Sequence, residues 1–304
     1  MTSIKDPKKY NVIGTRPVRP DGTDKVTGRA LYGADFDMAG LLHGKILRSP
    51  HPHARIKSIN FDEALKIDGV LAVVTSKDLP DNPDGTSSVA YGRGNILAKD
   101  KVLYVGHAIA GVAAIDPHTA EEALEVIKVD YEILSPSLSV EEAMDDDAEV
   151  IHENAFMKEF GEMTTINNNI DEHFQHKIGN VTKGFDEADL VVEGKYSTVM
   201  VHQGYIEPHA ATVLWKADGS ITVWSSTQGA FPDRDEMSVI LDVPISKIKV
   251  VPMEIGGGFG GKIPIYQEPV AALLSKKTGK PVKILMSRKE VFESTGPTPG
   301  GYTW

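Results

Sequence analysis

The chain reads as an α+β protein on three observations. Short apolar runs of strand length recur from Leu42 to Tyr131, a helix with a clear start signal follows Asp116, and Ala217-Asp218-Gly219 joins two further runs as a hairpin. Residues 1–24, rich in Pro, Asp and Lys, are expected to form an extended arm. Leu42–Leu47, Ile56–Ile59 and Val70–Thr75 have strand character, with a helical turn at Phe61–Leu65 between the last two. Val102–Val105 and Ala108–Ile115 are expected as strands. Thr119–Ile127 is expected as a helix with Ala120, Ala123, Leu124 and Ile127 on one face, leading into a strand at Val126–Tyr131. This first α+β domain takes residues 25–135. An acidic stretch containing Asp145-Asp146-Asp147 fills 136–166 and reads as a solvated linker, since it lacks the glycine and the spaced ligands of a calcium loop.

A second domain takes 167–304. It starts with a short helix from Gly184 running into a strand at Val191–Met200. The hairpin pairs Val213–Trp215 with Ser220–Ser226, Arg234–Leu241 is helical, and Ile248–Ile255 is a strand that enters a glycine run. Glu268–Lys277 and Pro281–Met286 supply a further helix and strand. Gly300–Trp304 resembles the start of a strand, so this domain is expected to be incomplete.

Composition narrows the class of function. With 304 residues, 41% hydrophobic and 25% charged, the chain has room for two domains and a sizeable core. A net charge of -11 with no long basic block argues against a nucleic-acid or anionic-membrane partner. The chain has no Cys, hence neither disulfides nor thiolate-ligated metal or iron–sulfur clusters of its own. The polar amino terminus lacks an apolar signal core and no stretch has the length of a membrane span, so a cytoplasmic location is expected.

The glycine run Gly256-Gly257-Gly258-Phe259-Gly260-Gly261-Lys262 carries the strongest chemical signal. Backbone without Cβ atoms can press against a ligand and turn several N–H groups toward an anion or a flat cofactor. The run fits a P-loop up to the position that must be Ser or Thr, which is Ile263, so a triphosphate site fails there. It also satisfies the dinucleotide pattern through Gly256, Gly258 and Gly261, which leaves an NAD(P)-binding oxidoreductase as an alternative. Pro264 and Pro269 interrupt the helix that this reading needs, and Arg288 stands where an acidic residue should hold the ribose. Elsewhere, His51 and His53 share one side of an extended segment but lack a third ligand and read as a turn. His202, Glu207 and His209 are the better candidate metal set, although mutually satisfied polar groups explain the same residues. Gln228 follows a strand and precedes a helix, where α/β-type sites gather. No nucleophile elbow, Cys nucleophile or His-Glu-x-x-His motif is present, so no catalytic residue is assigned within the chain.

Taken in order, these segments resemble the molybdenum-cofactor subunit of the xanthine oxidase family, the molybdenum hydroxylases. Lys25-Val26-Thr27-Gly28, Tyr32, Asp35, Arg48–Ile56, Val102–Ile115 and Ala120–Tyr131 resemble the family's a/b hammerhead domain. Glu207-Pro208-His209, Thr227-Gln228 and Gly256–Lys262 fall in the order of its first molybdopterin-binding domain. The resemblance implies that Gln228 hydrogen-bonds near the apical ligand of molybdenum and that the backbone of Gly257, Gly258, Phe259 and Gly260 approaches the cofactor. Dithiolene sulfurs hold the metal, so no direct protein ligand is expected. Ile263 occupies the substrate-pocket position where purine hydroxylases carry a Glu, which favours an aromatic or aldehyde substrate over a purine, while Lys262–Tyr266 resembles the carbon monoxide dehydrogenase branch. The family hydroxylates electron-poor carbon with oxygen from water. Its implied cofactor is molybdenum-molybdopterin in the cytosine dinucleotide form, with 2Fe-2S and FAD on partner chains. The base Glu belongs to a second molybdopterin-binding domain or subunit, so this chain alone is expected to be inactive. A non-catalytic docking half of such a complex is the other alternative.

Overall fold

Leu42, Gly44 and Ile46 turn one face of strand β1 (Leu42–Arg48) into the core while His43 and Lys45 stay half-exposed, the period-two pattern of a strand with unlike surroundings on its two faces. In the computed structural model, which describes residues 12–81, 87–153, 155–296 and 298–304, helix α1 (Gly22–Thr27) precedes this strand. The extended arm expected over 1–24 therefore ends in a helix, and residues 1–11 lie outside the described residues. After β1 come β2 (Ala54–Asn60), β3 (Val70–Thr75), helix α2 (Ser87–Ile96), β4 (Lys101–Val102), β5 (Ala108–Ala114), α3 (Pro117–Val126) and β6 (Lys128–Ile133). Helix α4 (Val140–Ala143) and short strands β7 (Lys158–Glu159), β8 (Glu162–Met163) and β9 (Glu172–His173) follow. The remainder is α5 (Val181–Asp186), β10 (Tyr196–Thr198), β11 (Ala210–Trp215), β12 (Ile221–Ser225), α6 (Ala230–Leu241), β13 (Ile248–Pro252), α7 (Glu268–Thr278), β14 (Val282–Leu285), α8 (Arg288–Ser294) and β15 (Gly301–Thr303).

The principal sheet has seven strands in the order β13-β12-β11-β14-β1-β5-β3 and so draws on both halves of the chain. The junction is β14, which pairs parallel with β1 (Leu42 opposite Val282, Gly44 opposite Ile284) and antiparallel with β11. One face is covered by α7, whose Val270–Ser275 segment is buried, together with α6. On the other face α3 lays Ala123 against Val73, Ala110 and Val112. Smaller sheets, β4-β2-β6, β8-β7-β9 and β10-β15, surround this frame.

Local chemistry explains where elements begin. The Asp116 carboxylate accepts the Thr119 N–H at 2.9 Å and Pro117 opens α3, the start that the sequence signals. Asp116→Ala is expected to cost about 1 kcal/mol, read as a lowered urea midpoint at constant m-value.

Several elements depart from the sequence reading. Helix α2 contains Gly92 and Gly94 and has poor propensity, yet the Arg93 guanidinium donates to the carbonyls of Asp81, Val239 and Ile240, so tertiary contacts hold it. The strand expected over Val102–Val105 stops at Val102, because Leu103 N–H donates to His107 Nδ1 and Gly106 turns the chain back to Ser49. The strand expected over Val191–Met200 shrinks to Tyr196–Thr198, since Leu190, Val192 and Val199 lie exposed with nothing to pack against. The acidic stretch is more ordered than a bare linker. The Asn169 side chain bridges Ala143, Glu149 and Ile151, and Asn167 donates to Glu153 and Ala155.

Candidate functional site

Strands β12 and β13 run parallel, with Ser225 opposite Pro252, so the segments beyond them leave the sheet at the same end. Gln228 follows β12 and the glycine run follows β13, which brings both to the carboxyl end of adjacent parallel strands. Gln228 reaches across: its N–H donates to the Lys262 carbonyl at 2.9 Å, and its Oε1 accepts from Gly260 N–H at 2.9 Å and Lys262 N–H at 3.2 Å. With the amide oxygen engaged, the Nε2 donors carry no protein partner among the described residues.

Each close approach requires a glycine. A Cβ on Gly258 would stand 2.6 Å from Gln228 Cδ, one on Gly256 would stand 2.7 Å from Glu207 Cβ, and one on Gly261 would stand 2.7 Å from the Tyr205 ring. Gly257, Phe259 and Gly260 have φ of 101°, 51° and 91°. A left-handed Phe is unusual, and here it places an aromatic ring 75% exposed at the loop tip. Gly261 and Ile263 donate back within the loop, whereas the N–H groups of Gly257, Gly258 and Phe259 meet no acceptor among the described residues. Consecutive N–H groups in such a turn form a concave surface suited to an acceptor-rich ligand.

Glu207 closes the loop from behind. Its Oε2 accepts from Gly256 N–H at 2.6 Å and from Lys262 Nζ at 2.7 Å, gathering both ends of the run onto one carboxylate. The Lys262 side chain is wholly buried, its ammonium 5.1 Å from the centre of the Tyr205 ring, and burial lowers its pKa against the opposing pull of Glu207. Lys25 steadies the approach to the loop through a 2.6 Å ion pair with Glu254.

The candidate His202–Glu207–His209 metal set does not form. Glu207 is committed to Lys262, Tyr205 Oη lies 2.6 Å from His209 Nε2, and His202 Nε2 lies 2.9 Å from Thr295 Oγ1. Burial, with Lys262 second, pushes His209 down to about 3, so it is neutral at ordinary pH. No group of three or more His, Cys, Asp or Glu side chains able to hold a metal occurs among the described residues. His53 Nδ1 bonds the Ser135 carbonyl at 2.9 Å and His51 packs edge-on to Tyr131, a structural turn.

The dinucleotide alternative meets two obstacles. Residues 262–267 separate the glycines from α7, so the loop N–H groups do not open a helix, and β12 and β11 intervene between β13 and β14. Arg288, the candidate for a 2′-phosphate, instead donates to the carbonyls of Tyr205, at 2.8 Å, and Ile206. Ile263 is about half exposed at the loop exit. Just beyond it, Pro264, Ile265 and Tyr266 form part of the wall of an apolar cavity of about 970 Å³ with Ile96, Tyr104 and Phe292.

Sequence reasoning missed two supports. Asp233, on the first turn of α6, is buried and pushed up to about 8 by burial and by Glu268. Glu268 in turn accepts from Ser225 Oγ at 2.6 Å and from the N–H groups of Tyr266 and Gln267. An acidic residue on the inner face of α6, whose other buried residues are Met237, Ile240 and Leu241, was the available signal. The role of Glu207 had one as well, in the Lys that ends the glycine run.

Residues 27–135 match the family described as aldehyde oxidase and xanthine dehydrogenase, a/b hammerhead domain, and residues 162–302 match the molybdopterin cofactor-binding domain. The chain is 39% identical over 91% of its length to a probable xanthine dehydrogenase subunit of Bacillus subtilis (strain 168), spanning 35% of that protein. It is 35% identical over 93% of its length to the nicotinate dehydrogenase large molybdopterin subunit of Eubacterium barkeri, spanning 63% of it. The crystal structure of the aldehyde oxidoreductase from Desulfovibrio desulfuricans ATCC 27774 superposes with a TM-score of 0.82 at 26% identity, covering 99% of this chain and 33% of that one. The chain therefore spans about a third to two thirds of the length of these relatives. Two family matches in sequence order, on the fold and the glycine loop described above, place the chain in the xanthine dehydrogenase family of molybdenum-dependent oxidoreductases, of which it carries a hammerhead and a molybdopterin cofactor-binding domain.

Proposed function

We propose that the chain supplies one wall of the cofactor site in a multi-subunit molybdenum hydroxylase. The observation that carries this reading is the loop itself, whose Gly257, Gly258 and Phe259 N–H groups lack acceptors among the described residues while the Gln228 amide oxygen is pinned by the loop and its donors are left over. A pterin dithiolene is rich in acceptors and takes no thiolate from the protein, which suits a chain without Cys. When bound, the molybdenum centre supplies two-electron oxidation of a substrate carbon with oxygen from water. The chain's own residues would bind and orient the group: Gln228 would donate to it through its Nε2, and Gly257, Gly258, Phe259 and Gly260 would lay backbone against it.

A second molybdopterin-binding domain or subunit would cover the open side and supply the carboxylate base. The exposed apolar side chains Phe174, Ile178, Phe185, Leu190 and Trp304 support a covering chain. Electrons would leave through partner chains carrying 2Fe-2S and FAD. The cofactor is proposed in its cytosine dinucleotide form. Ile263, at the loop exit, gives the substrate pocket an apolar edge suited to an aromatic, heterocyclic or aldehyde substrate, or to CO, in preference to a purine. Among the described residues no helix is long and apolar enough to cross a membrane, and the assembled enzyme is proposed to be cytoplasmic.

The test is to co-purify the chain with its partner subunits and measure molybdenum, pterin and nucleotide released on acid hydrolysis. Stoichiometric metal and pterin with cytidine monophosphate are expected, and Gln228→Ala should lower kcat per bound molybdenum by about tenfold to a hundredfold, as befits loss of one hydrogen bond to a charged centre. A complete complex free of both molybdenum and pterin would overturn the reading.

A further inference from the structure

Gln228 reaches the glycine loop from a turn that rests on a buried acid. Gly229 N–H donates to Thr227 Oγ1 at 2.9 Å, Thr227 Oγ1 lies 3.4 Å from the Lys262 carbonyl, and Asp233 N–H donates to the Gly229 carbonyl at 3.1 Å as α6 begins. The Asp233 residue is 2% exposed, with Thr227 beside its carboxyl and Oδ1 without a hydrogen-bond partner among the described residues. Around it stand Glu236 on the same helix and Glu268 at the start of α7. Glu268 already accepts three hydrogen bonds, and Glu236 accepts one from Ile265 N–H at 3.3 Å.

We propose that Asp233 is a positioning residue for Gln228: its carboxyl, buried against Thr227, fixes the turn from which Gln228 holds the glycine loop. The arrangement needs a neutral group, because two carboxylates face the site and burial penalises a third charge. Asp233, pushed up to about 8, is protonated at neutral pH. A group whose pKa is raised on folding loses its stabilising contribution as pH rises through the folded value, so above about 8 the acid ionises and the turn loosens. The link to the loop is a matter of this chain alone, and its consequence for turnover rests on the molybdopterin reading above.

The test uses the assembled complex with wild type, Asp233→Asn and Asp233→Ala. The first readout is hydrogen-exchange protection of the Gly260–Lys262 peptide, whose N–H groups end on Gln228 Oε1. Wild type should lose about tenfold in protection between pH 7 and 9, which corresponds to about one hydrogen bond. Asp233→Ala should have low protection throughout. Asp233→Asn, which can still accept from Thr227 but cannot ionise, should restore protection and abolish the alkaline loss. The second readout is the pH profile of kcat, in which the wild-type fall near pH 8 should be missing from Asp233→Asn, with KM unaffected. An alkaline loss retained in Asp233→Asn, or full protection in Asp233→Ala, overturns the proposal. A complex without molybdenum would sink the cofactor reading instead, and leaves the exchange result to decide the role of Asp233.

Discussion

Glu207→Ala is expected to destabilise the fold by about 3–5 kcal/mol, the cost of leaving one member of a buried ion pair without the other. The Lys262 side chain has no solvent exposure and Glu207 is its only carboxylate partner among the described ion pairs, so the ammonium would remain buried over the Tyr205 ring with no counter-charge. The same substitution frees the Gly256 N–H and opens the end of the loop that Glu207 closes. Urea unfolding, followed by far-UV circular dichroism, reads the stability change. Glu207→Gln keeps an oxygen for Gly256 and loses only the charge, so it should fall between wild type and Ala. The double variant Glu207→Ala with Lys262→Met should recover much of the loss, because it removes the stranded charge. If Glu207→Ala unfolds at the wild-type midpoint, the staple has no energetic role.

Gly258→Ala is expected to act on the site while sparing the fold. The new Cβ would stand 2.6 Å from Gln228 Cδ and 2.9 Å from its Cγ, so the amide must leave its place and both of its hydrogen bonds to the loop are lost. At about 1 kcal/mol each, these correspond to a fall of about tenfold to thirtyfold in retained molybdenum and pterin at limiting supply, measured by metal analysis of the purified complex. The urea midpoint should move little, because Gln228 is exposed and its displaced amide can turn into solvent. The effects should also be non-additive. In a Gln228→Ala background the same alanine meets open space and should change cofactor content by less than about twofold. Equal effects of Gly258→Ala in the two backgrounds would show that the clash with Gln228 is not its cause.

Local signals are legible in the sequence and distant ones are not. The Asp218-Gly219 hairpin, the Asp116 cap and the glycine run rest on chemistry within a few residues and stand where the sequence places them. Gln228 and the glycines are also recognisable from sequence, and the structure brings them together. Why they meet is hidden, because it depends on the parallel pairing of β12 with β13, which no local pattern encodes. Helix α2 is invisible because Arg93 is held by carbonyls on α6, far along the chain. Glu207 is legible as a polar group needing a partner, but its lysine lies 55 positions away. The strand expected near Val191–Met200 fails in the opposite way, its apolar pattern being real while the surface it would cover is absent from the described residues.

The placement of β14 between β11 and β1 has a consequence for how such a chain can be divided. Its two family segments are separate in sequence but woven into one hydrogen-bonded frame, like halves of a zip with teeth on both tapes. A break in the connecting stretch between them would leave β1 and β14 each presenting a raw edge of unpaired backbone, an invitation to pair with strangers. Proteolytic nicks there should be tolerated only while the pieces stay associated, and any gene rearrangement that separates them must carry β14 along with β1.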